Sequence, residues 1–388
     1  MTITFAERLK NVKEYYFSQK LEEIRQMRLK GLDVINLGIG SPDLMPMQSV
    51  IESTTKALQS ESAHGYASYR SSPELRQAMC RWYQEVYKVE INSESEVLPL
   101  LGSKEGVLYV SMALLNPGDS VLVPNPGYPA YSGVAALIGV NVIYYDLTEE
   151  NAWLPDFPKL DQMDLSRCKL MWTNYPHMPT GASSNPELLK KLIAFGKKKN
   201  IFICNDNPYG LVLNREPPLS ILSADPKMEI SGELNSLSKS FNMAGWRVGM
   251  LMASSQLIDA ALQVKSNVDS GMFLPVQSGA TQALSAGADF HQSRNRVYEE
   301  RRKVVWKIFD RLGFSYSQDQ VGLFVWARAP EKITDVEAYV ERVLQTAHVF
   351  IVPGFIFGSN GKDYARASLC APQATLEKAL KRIEAFCV

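Results

Sequence analysis

In the stretch NSLSKSFNMAGWRVGM (Asn235–Met250), a single lysine, Lys239, stands among serines and small residues, and Arg247 follows in a short apolar run. A surface lysine normally sits among other charges. This one lies between the apolar, strand-like MEISGELNSL and WRVGMLM, which suits an enclosed site. Partial desolvation lowers a lysine's pKa and makes its amine a nucleophile toward carbonyl carbon. Ser236, Ser238 and Arg247 beside it can supply donors to a phosphate. A second segment, LPLLGSKEGVLYV, turns at Gly102-Ser103-Lys104 from an apolar run into a helical pattern. Small residues there leave backbone N–H groups free for a phosphate at a helix N-terminus. A third, NIFICNDNPYG, ends an almost wholly apolar strand on Asp206, with the phenol of Tyr209 close behind. A carboxylate in that position is costly unless a cation or donors meet it.

These residues need a scaffold that brings strand ends together. Runs rich in β-formers predict strands over Ser120–Asn125, Val140–Leu147, Cys168–Pro176, Asn200–Tyr209 and Trp246–Ser254. Between the third and fourth, PELLKKLIAFGKKKN has apolar residues at three-to-four spacing and lysines at its end, as a helix should. Strand, helix, strand in this order implies parallel βαβ units and a sheet covered on both faces. Such sheets bind ligands beyond their strand ends. The expected organisation is a large α/β domain over 47–290 and a smaller α+β domain over 291–388, with the segment 1–46 packing against the smaller one. In the latter, HQSRNRVYEERRKVVWKIFDRLG, DVEAYVERVLQTAHV and QATLEKALKRIEAFCV read as helices, and VGLFVWARAP as a half-exposed strand. No internal repeat or low-complexity tract interrupts this pattern.

Composition narrows the chemistry. The 388 residues are 46% hydrophobic, enough for a large core, and the formal net charge is zero, so no global field favours nucleic acid or an anionic membrane. The five cysteines, Cys80, Cys168, Cys204, Cys370 and Cys387, are scattered and form no CxxC pair, which fits a reducing, cytoplasmic setting. The charged N-terminal stretch has no apolar core of a signal peptide, and no segment reaches the length of a membrane span. The histidines His64, His177, His291 and His348 lack metal-ligand spacing, so no metal is expected. Singly, the Gly-Ser turn reads equally as a capped helix start, and Asp206 as an Asx turn. Together, a phosphate cradle, a carboxylate for a ring nitrogen, a phenol for a ring oxygen and an amine for a Schiff base describe a pyridoxal phosphate pocket.

The segments DVINLGIGSPD, GYASYRSSPELRQA, GSKEG, NPGDSVLVPNPGYPAY, PTG, NDNPYG, SLSKSFNMAGWRVG, KSNVDSGMFLPVQ and RASL occur in an order that resembles the class I and II aminotransferases of pyridoxal-phosphate fold type I. The resemblance covers essentially the full length and is nearest the branch of bacterial aspartate and LL-diaminopimelate aminotransferases. It implies a large domain with a mostly parallel seven-stranded sheet, a smaller α+β domain built from both chain ends, and a homodimer with shared active sites. Lys239 is implied as the Schiff-base lysine and proton carrier, Asp206 as the partner of the pyridinium nitrogen, and Tyr209 as a donor to the ring oxygen. Tyr128 stacks on the ring, and Asn174 joins the cofactor shell. The phosphate falls to Gly102, Ser103, Lys104, Ser236, Ser238 and Arg247, with Tyr66 reaching in from the partner. Arg366 grips the substrate α-carboxylate, and the loop with Ile39 and Gly40 covers the substrate.

Two positions depart from the family pattern. Met178 stands where an asparagine usually precedes Pro-Thr-Gly, and a thioether cannot donate to the ring oxygen. Ser71 stands where a glycine is common. The implied reaction moves an amino group from an L-amino acid to a 2-oxo acid, with 2-oxoglutarate as the expected acceptor, in a ping-pong cycle. Two other readings share the fold: a carbon–sulfur lyase or decarboxylase, and a non-catalytic effector-binding domain. Lys104 and Arg70 are candidates for reading a second substrate carboxylate.

Overall fold

The computed structural model describes residues 3–387 apart from 13 and 15, so residues 1, 2, 13, 15 and 388 of the expected terminal segments lie outside the described residues. Seven strands form the main sheet: β1 (Val97–Leu100), β2 (Ser120–Asn125), β3 (Asn141–Asp146), β4 (Cys168–Thr173), β5 (Phe202–Asp206), β6 (Ser231–Ser236) and β7 (Gly249–Met252). Their order across the sheet is β1-β7-β6-β5-β4-β2-β3. The pairs among β2 to β6 are parallel, and β7 runs antiparallel to both of its neighbours. Parallel strands need long crossovers, and here helices supply most of them. The strand expected at Ser120–Asn125 is found with those bounds, and the other four expected strands are found with shorter ends, as where Asn174 and Tyr209 leave the ladder to enter the ligand side.

Among the described residues, eleven principal helices surround the strands: α1 (Tyr16–Leu29), α2 (Gln48–Leu58), α3 (Pro73–Tyr87), α4 (Ser103–Leu114), α5 (Pro129–Ile138), α6 (Pro186–Lys199), α7 (Ser255–Lys265), α8 (Leu274–Ala283), α9 (Ala288–Leu312), α10 (Val336–Ala347) and α11 (Gln373–Phe386). One face of the sheet packs α4, α5 and α7 through Val107, Tyr131 and Ile258, and the other packs α3, α6 and α8 through Leu75, Leu192 and Ala280. The sequence shows why α6 begins and ends where it does. Asn185 accepts the Leu188 N–H at 2.8 Å, Pro186 opens the first turn, and Lys197, Lys198 and Lys199 fill the last.

A second core joins the two chain ends. Strands β8 (Ser315–Tyr316), β9 (Phe324–Arg328), β10 (Val352–Pro353) and β11 (Tyr364–Ser368) make an antiparallel sheet in the order β10-β11-β9-β8. Phe17, Ile24 and Met27 of α1 share its core with Ile308 of α9, Leu344 of α10 and Ile383 of α11, and Ile35–Asn36 pairs in parallel with Val349–Phe350. The half-exposed character expected of the strand in VGLFVWARAP is wrong: Val321 to Ala327 are all buried, and only Arg328 is exposed. Both of its faces are covered: Leu323, Val325 and Ala327 lie in the core of this smaller unit, and Phe324 on the alternate face lines the ligand cavity. Among the described residues, no helix is long and apolar enough to cross a membrane.

Candidate active site

The strand ends converge as an open α/β sheet requires. Asn174 follows β4, Asp206 ends β5 with Tyr209 just beyond, Ser236 ends β6 and leads into the short helix Leu237–Ser240, and Gly102 follows β1. Asn174, Asp206, Tyr209 and Ser236 line one cavity of about 590 Å³, together with Ile39, Gly40, Ser103, Lys104, Tyr128, Met178, Ser238, Lys239, Arg247, Phe324 and Arg366, and Gly102 lies just behind Ser103. Residues scattered over more than three hundred positions thus meet in one place. Among the described residues, no cluster of His, Cys, Asp or Glu could hold a metal.

One end of the cavity is built for an anion. Helix α4 starts at Ser103 with no side-chain cap from Gly102, so its first-turn N–H groups face the cavity uncapped by that residue. Gly102 has φ +90°, and a Cβ there would lie 2.1 Å from Arg247 Nη2. The backbone conformation requires glycine, and a side chain there would also push the Arg247 guanidinium from its place. Arg247 is anchored by Nη1 donating to the Ala244 carbonyl at 2.9 Å, which leaves the rest of its fork beside the turn. The Ser236 hydroxyl accepts the Ser238 N–H at 3.1 Å and lies 2.9 Å from the Ser238 hydroxyl. Ser236 therefore caps the turn that presents Ser238 and Lys239.

The opposite chemistry sits deeper. Asp206 is buried; its Oδ2 accepts from the Tyr131 hydroxyl at 3.0 Å, while its Oδ1 has no partner. Burial raises its pKa to about 7, with the Tyr131 bond opposing and the charge of Glu233 adding to the rise. Tyr131 is itself fixed by stacking on Trp172, with ring centroids 5.1 Å apart and planes within 4°. The Lys239 amine donates to the Gly40 carbonyl. Its pKa is lowered by burial first, and then by Arg366 and Arg247, against an opposing contribution from Cys370. A buried amine of lowered basicity, a carboxylate oxygen lacking a donor, and an uncapped helix start in one cavity fit pyridoxal phosphate: the phosphate suits the helix start, and a protonated ring nitrogen suits Asp206 Oδ1.

Arg366 on β11 is buried and closes the other wall. Its Nη2 donates to the Gly38 carbonyl at 2.8 Å and its Nη1 lies 3.1 Å from Met178 Sδ. The guanidinium also stacks 3.8 Å from the Phe324 ring centroid and 4.5 Å from that of Phe357. These contacts orient the fork at the cavity wall. Met178 thus touches the residue implied for the substrate carboxylate. Asn174 is engaged at both ends of its amide, donating to the Asp206 carbonyl at 2.5 Å and accepting the Met178 N–H at 2.8 Å.

Some expected residues lie elsewhere. Tyr66 is 94% exposed and does not line the cavity of its own chain. Arg70 is held outside it, donating to Asp259 at 2.5 Å and to the Glu94 carbonyl at 3.1 Å, so of the two candidate readers of a second carboxylate only Lys104 lines the cavity. Ser71 takes φ +59°, the left-handed region that explains why glycine suits that position. Tyr131, Phe324 and Phe17 were missed as site residues. Tyr131 lay within PGYPAY three residues after Tyr128, and only its helical position turns it onto Asp206; Phe324 and Phe17 carry no local signal.

The site can be set beside known proteins. Residues 32–383 match the family described as aminotransferase class I and II. The chain is 37% identical over 382 residues to the LL-diaminopimelate aminotransferase of Dehalococcoides mccartyi, covering 98% of each. It is 36% identical to transaminase BacF of Bacillus subtilis, covering 99% of this chain and 96% of that one. The apo-BacF structure superposes with a TM-score of 0.95 at 36% identity, covering 100% of this chain and 99% of that one. The aspartate aminotransferase of Thermus thermophilus with maleate shares the fold, with a TM-score of 0.92 at 24% identity, covering 99% of this chain and 100% of that one. The chain therefore belongs to the class I and II aminotransferases, and is with them a pyridoxal-phosphate-dependent enzyme.

Proposed function

We propose that the enzyme moves the amino group of an L-amino acid to a 2-oxo acid, 2-oxoglutarate being the acceptor, in a ping-pong cycle centred on Lys239. The observation that carries this reading is the meeting of a buried amine of lowered basicity, a carboxylate oxygen without a partner and an oriented guanidinium in one cavity. Pyridoxal phosphate supplies, when bound, an aldehyde carbon for the amino group and a ring that withdraws electrons from the substrate Cα–H bond. Gly102, Ser103 and Lys104 backbone groups, Ser236, Ser238 and Arg247 would hold its phosphate. Asp206 would keep the ring nitrogen protonated, Tyr128 would stack on the ring, and Tyr209 would donate to the ring oxygen, with Asn174 fixing the backbone beside Asp206.

Lys239 would serve first as the amine that holds the cofactor and then as the base that takes the proton from the substrate Cα and delivers it to the aldehyde-derived carbon of the cofactor. Burial lowers its pKa, which favours the unprotonated amine that this work needs. Arg366 orients the α-carboxylate by a two-point grip, and Ile39 and Gly40 cover the substrate from water. The partner's copy of Tyr66 would complete the phosphate shell in a homodimer. Supporting this, Tyr66 is exposed to solvent in its own chain, as are Tyr69 and Phe273, at 43% and 46%. The scattered, unpaired cysteines support a cytoplasmic setting.

The test is a half-reaction. Purified holoenzyme is mixed with single amino acids without acceptor, and the aldehyde-form absorbance of the cofactor should disappear and return on adding 2-oxoglutarate. Release of carbon dioxide, or of a thiol with ammonia, in place of that cycle would replace this reading with decarboxylation or carbon–sulfur cleavage. For the dimer, inactive Lys239→Ala protomers are mixed with impaired Tyr66→Phe protomers. Recovery of activity supports shared sites, and no recovery counts against them.

A further inference from the structure

Glu233 lies near the middle of the main sheet, on β6, and is 0% exposed. It pairs in register with Asn205 on β5, while Asp206, the next residue along, turns to the other face of the sheet. Its Oε1 accepts from the Tyr83 hydroxyl at 2.9 Å, and its Oε2 accepts from Asn205 Nδ2 and the Ile221 N–H, each at 3.1 Å. Ser220 bonds to it as well. Among the described residues it makes no ion pair. The titratable groups near it are Tyr83 and Tyr87 on α3 and Cys204 and Asp206 on β5. A carboxylate buried with neutral donors and no cation adds little to stability, and an apolar residue would pack there at less cost.

What the carboxylate organises is the cavity on the far side of the sheet. The Asn205 amide that it holds accepts from the Thr173 hydroxyl and from the Tyr175 N–H, each at 3.0 Å. That bracket fixes the exit of β4, from which Asn174 reaches the Asp206 carbonyl. In the other direction, the Tyr83 oxygen held by Glu233 accepts from Asn235 Nδ2 at 3.3 Å, and Asn235 Oδ1 accepts the Ser236 N–H at 2.8 Å. That arm fixes the turn carrying Ser236, Ser238 and Lys239. One buried carboxyl group, its pKa raised by burial against the opposing pull of its neighbouring donors, therefore ties together the two strand exits that bring Asp206 and Lys239 into the cavity.

We propose that Glu233 is a positioning residue for the transamination: through Asn205 and through Tyr83–Asn235 it aligns the turns bearing Asp206 and Lys239, and its negative charge behind Asp206 favours the protonated form of the bound cofactor. The proposal rests on the cavity being the cofactor site. The direction of the shift at Asp206, to which Glu233 adds, agrees with it.

The experiment is a pH titration of the visible absorbance of the bound cofactor in wild type and Glu233→Gln, with single-turnover kinetics and thermal unfolding of both. Gln keeps the size and removes the charge. The absorbance midpoint should fall by roughly half a pH unit or more, since a nearby anion stabilises the protonated form. The half-reaction rate should fall about tenfold with KM within about twofold, the pattern of a lost transition-state alignment. Glu233→Asp, which keeps the charge, should restore the midpoint. A lower melting temperature with an unmoved midpoint and rate assigns Glu233 to the fold alone and overturns the proposal, as does a raised midpoint. If Glu233→Gln does not fold, Tyr83→Phe decides. Loss of that donor raises the carboxyl pKa, so the rate should decline on acidification at a higher pH than in wild type, and identical profiles overturn the proposal. A wild type without any cofactor absorbance would instead sink the reading of the cavity itself.

Discussion

Asp206→Asn in the apoenzyme isolates the cost of burying a carboxylate for a cofactor. In the fold, burial raises the Asp206 pKa from 3.8 to about 7. The unfolded chain then releases its proton near the ordinary value while the folded chain keeps it, so between about pH 4 and pH 7 the unfolded state binds fewer protons. Apoenzyme stability attributable to this group must fall as pH rises through that window. The full cost, present above about pH 7, is about 3 pH units at roughly 1.4 kcal/mol each, or on the order of 4 kcal/mol. Asparagine has no charge to desolvate and still accepts from Tyr131. Thermal unfolding of the two apoproteins from pH 5 to pH 7.5 should show the variant gaining roughly 2–3 kcal/mol relative to wild type, a few degrees in Tm for a chain of this size. On adding pyridoxal phosphate the order should reverse, because a protonated ring nitrogen gives Asp206 Oδ1 the donor it lacks. A stability gap that stays constant with pH would mean that Asp206 ionises normally, and the burial argument would fail.

Other substitutions probe the remaining walls. Lys239→Ala should abolish transamination while leaving cofactor binding partly intact; borohydride reduction and peptide mapping of the wild type should label Lys239, and a label on another lysine refutes the assignment. Arg366→Lys keeps the charge but loses the fork and its stacking on Phe324, so kcat/KM should fall by roughly 1.5–3 kcal/mol, or about ten- to a hundredfold; an unchanged kcat/KM removes Arg366 as the α-carboxylate ligand. Met178→Asn replaces the thioether beside Arg366 with an amide that can donate to the ring oxygen, so the absorbance midpoint of the bound cofactor should drop by somewhat under about one pH unit. An unchanged midpoint means that the side chain at 178 does not reach that oxygen.

Local chemistry made much of this protein legible before any coordinates. The strands appear because their apolar, β-branched runs are short and bounded by turn residues, and α6 because its cap, proline and lysines all agree with its apolar period. Lys239, Asp206 and Arg247 stood out because each is a charge in an apolar setting, which implies a ligand or a partner whatever the fold, whereas Arg366 was implied only by the resemblance of its segment to the family. Gly102 stood out because a turn into a helix needs it, though the second reason, the guanidinium of Arg247 against its missing Cβ, exists only in three dimensions.

Tertiary structure alone decided what no spacing encodes. Tyr131 meets Asp206 across 75 positions, Phe324 and Phe357 enclose Arg366, and α1 brings Phe17 to the cavity from the other end of the chain. Such contacts join segments whose local patterns are those of ordinary core residues. The burial of β9 was misjudged for the same reason, since alternation along a strand reports how one face is covered and says nothing of what a distant segment lays over the other. Glu233 is the extreme case. In sequence it is a charged residue in a strand, and its partners at Tyr83, Asn205 and Ile221 come together only when parallel strands and a covering helix close around it.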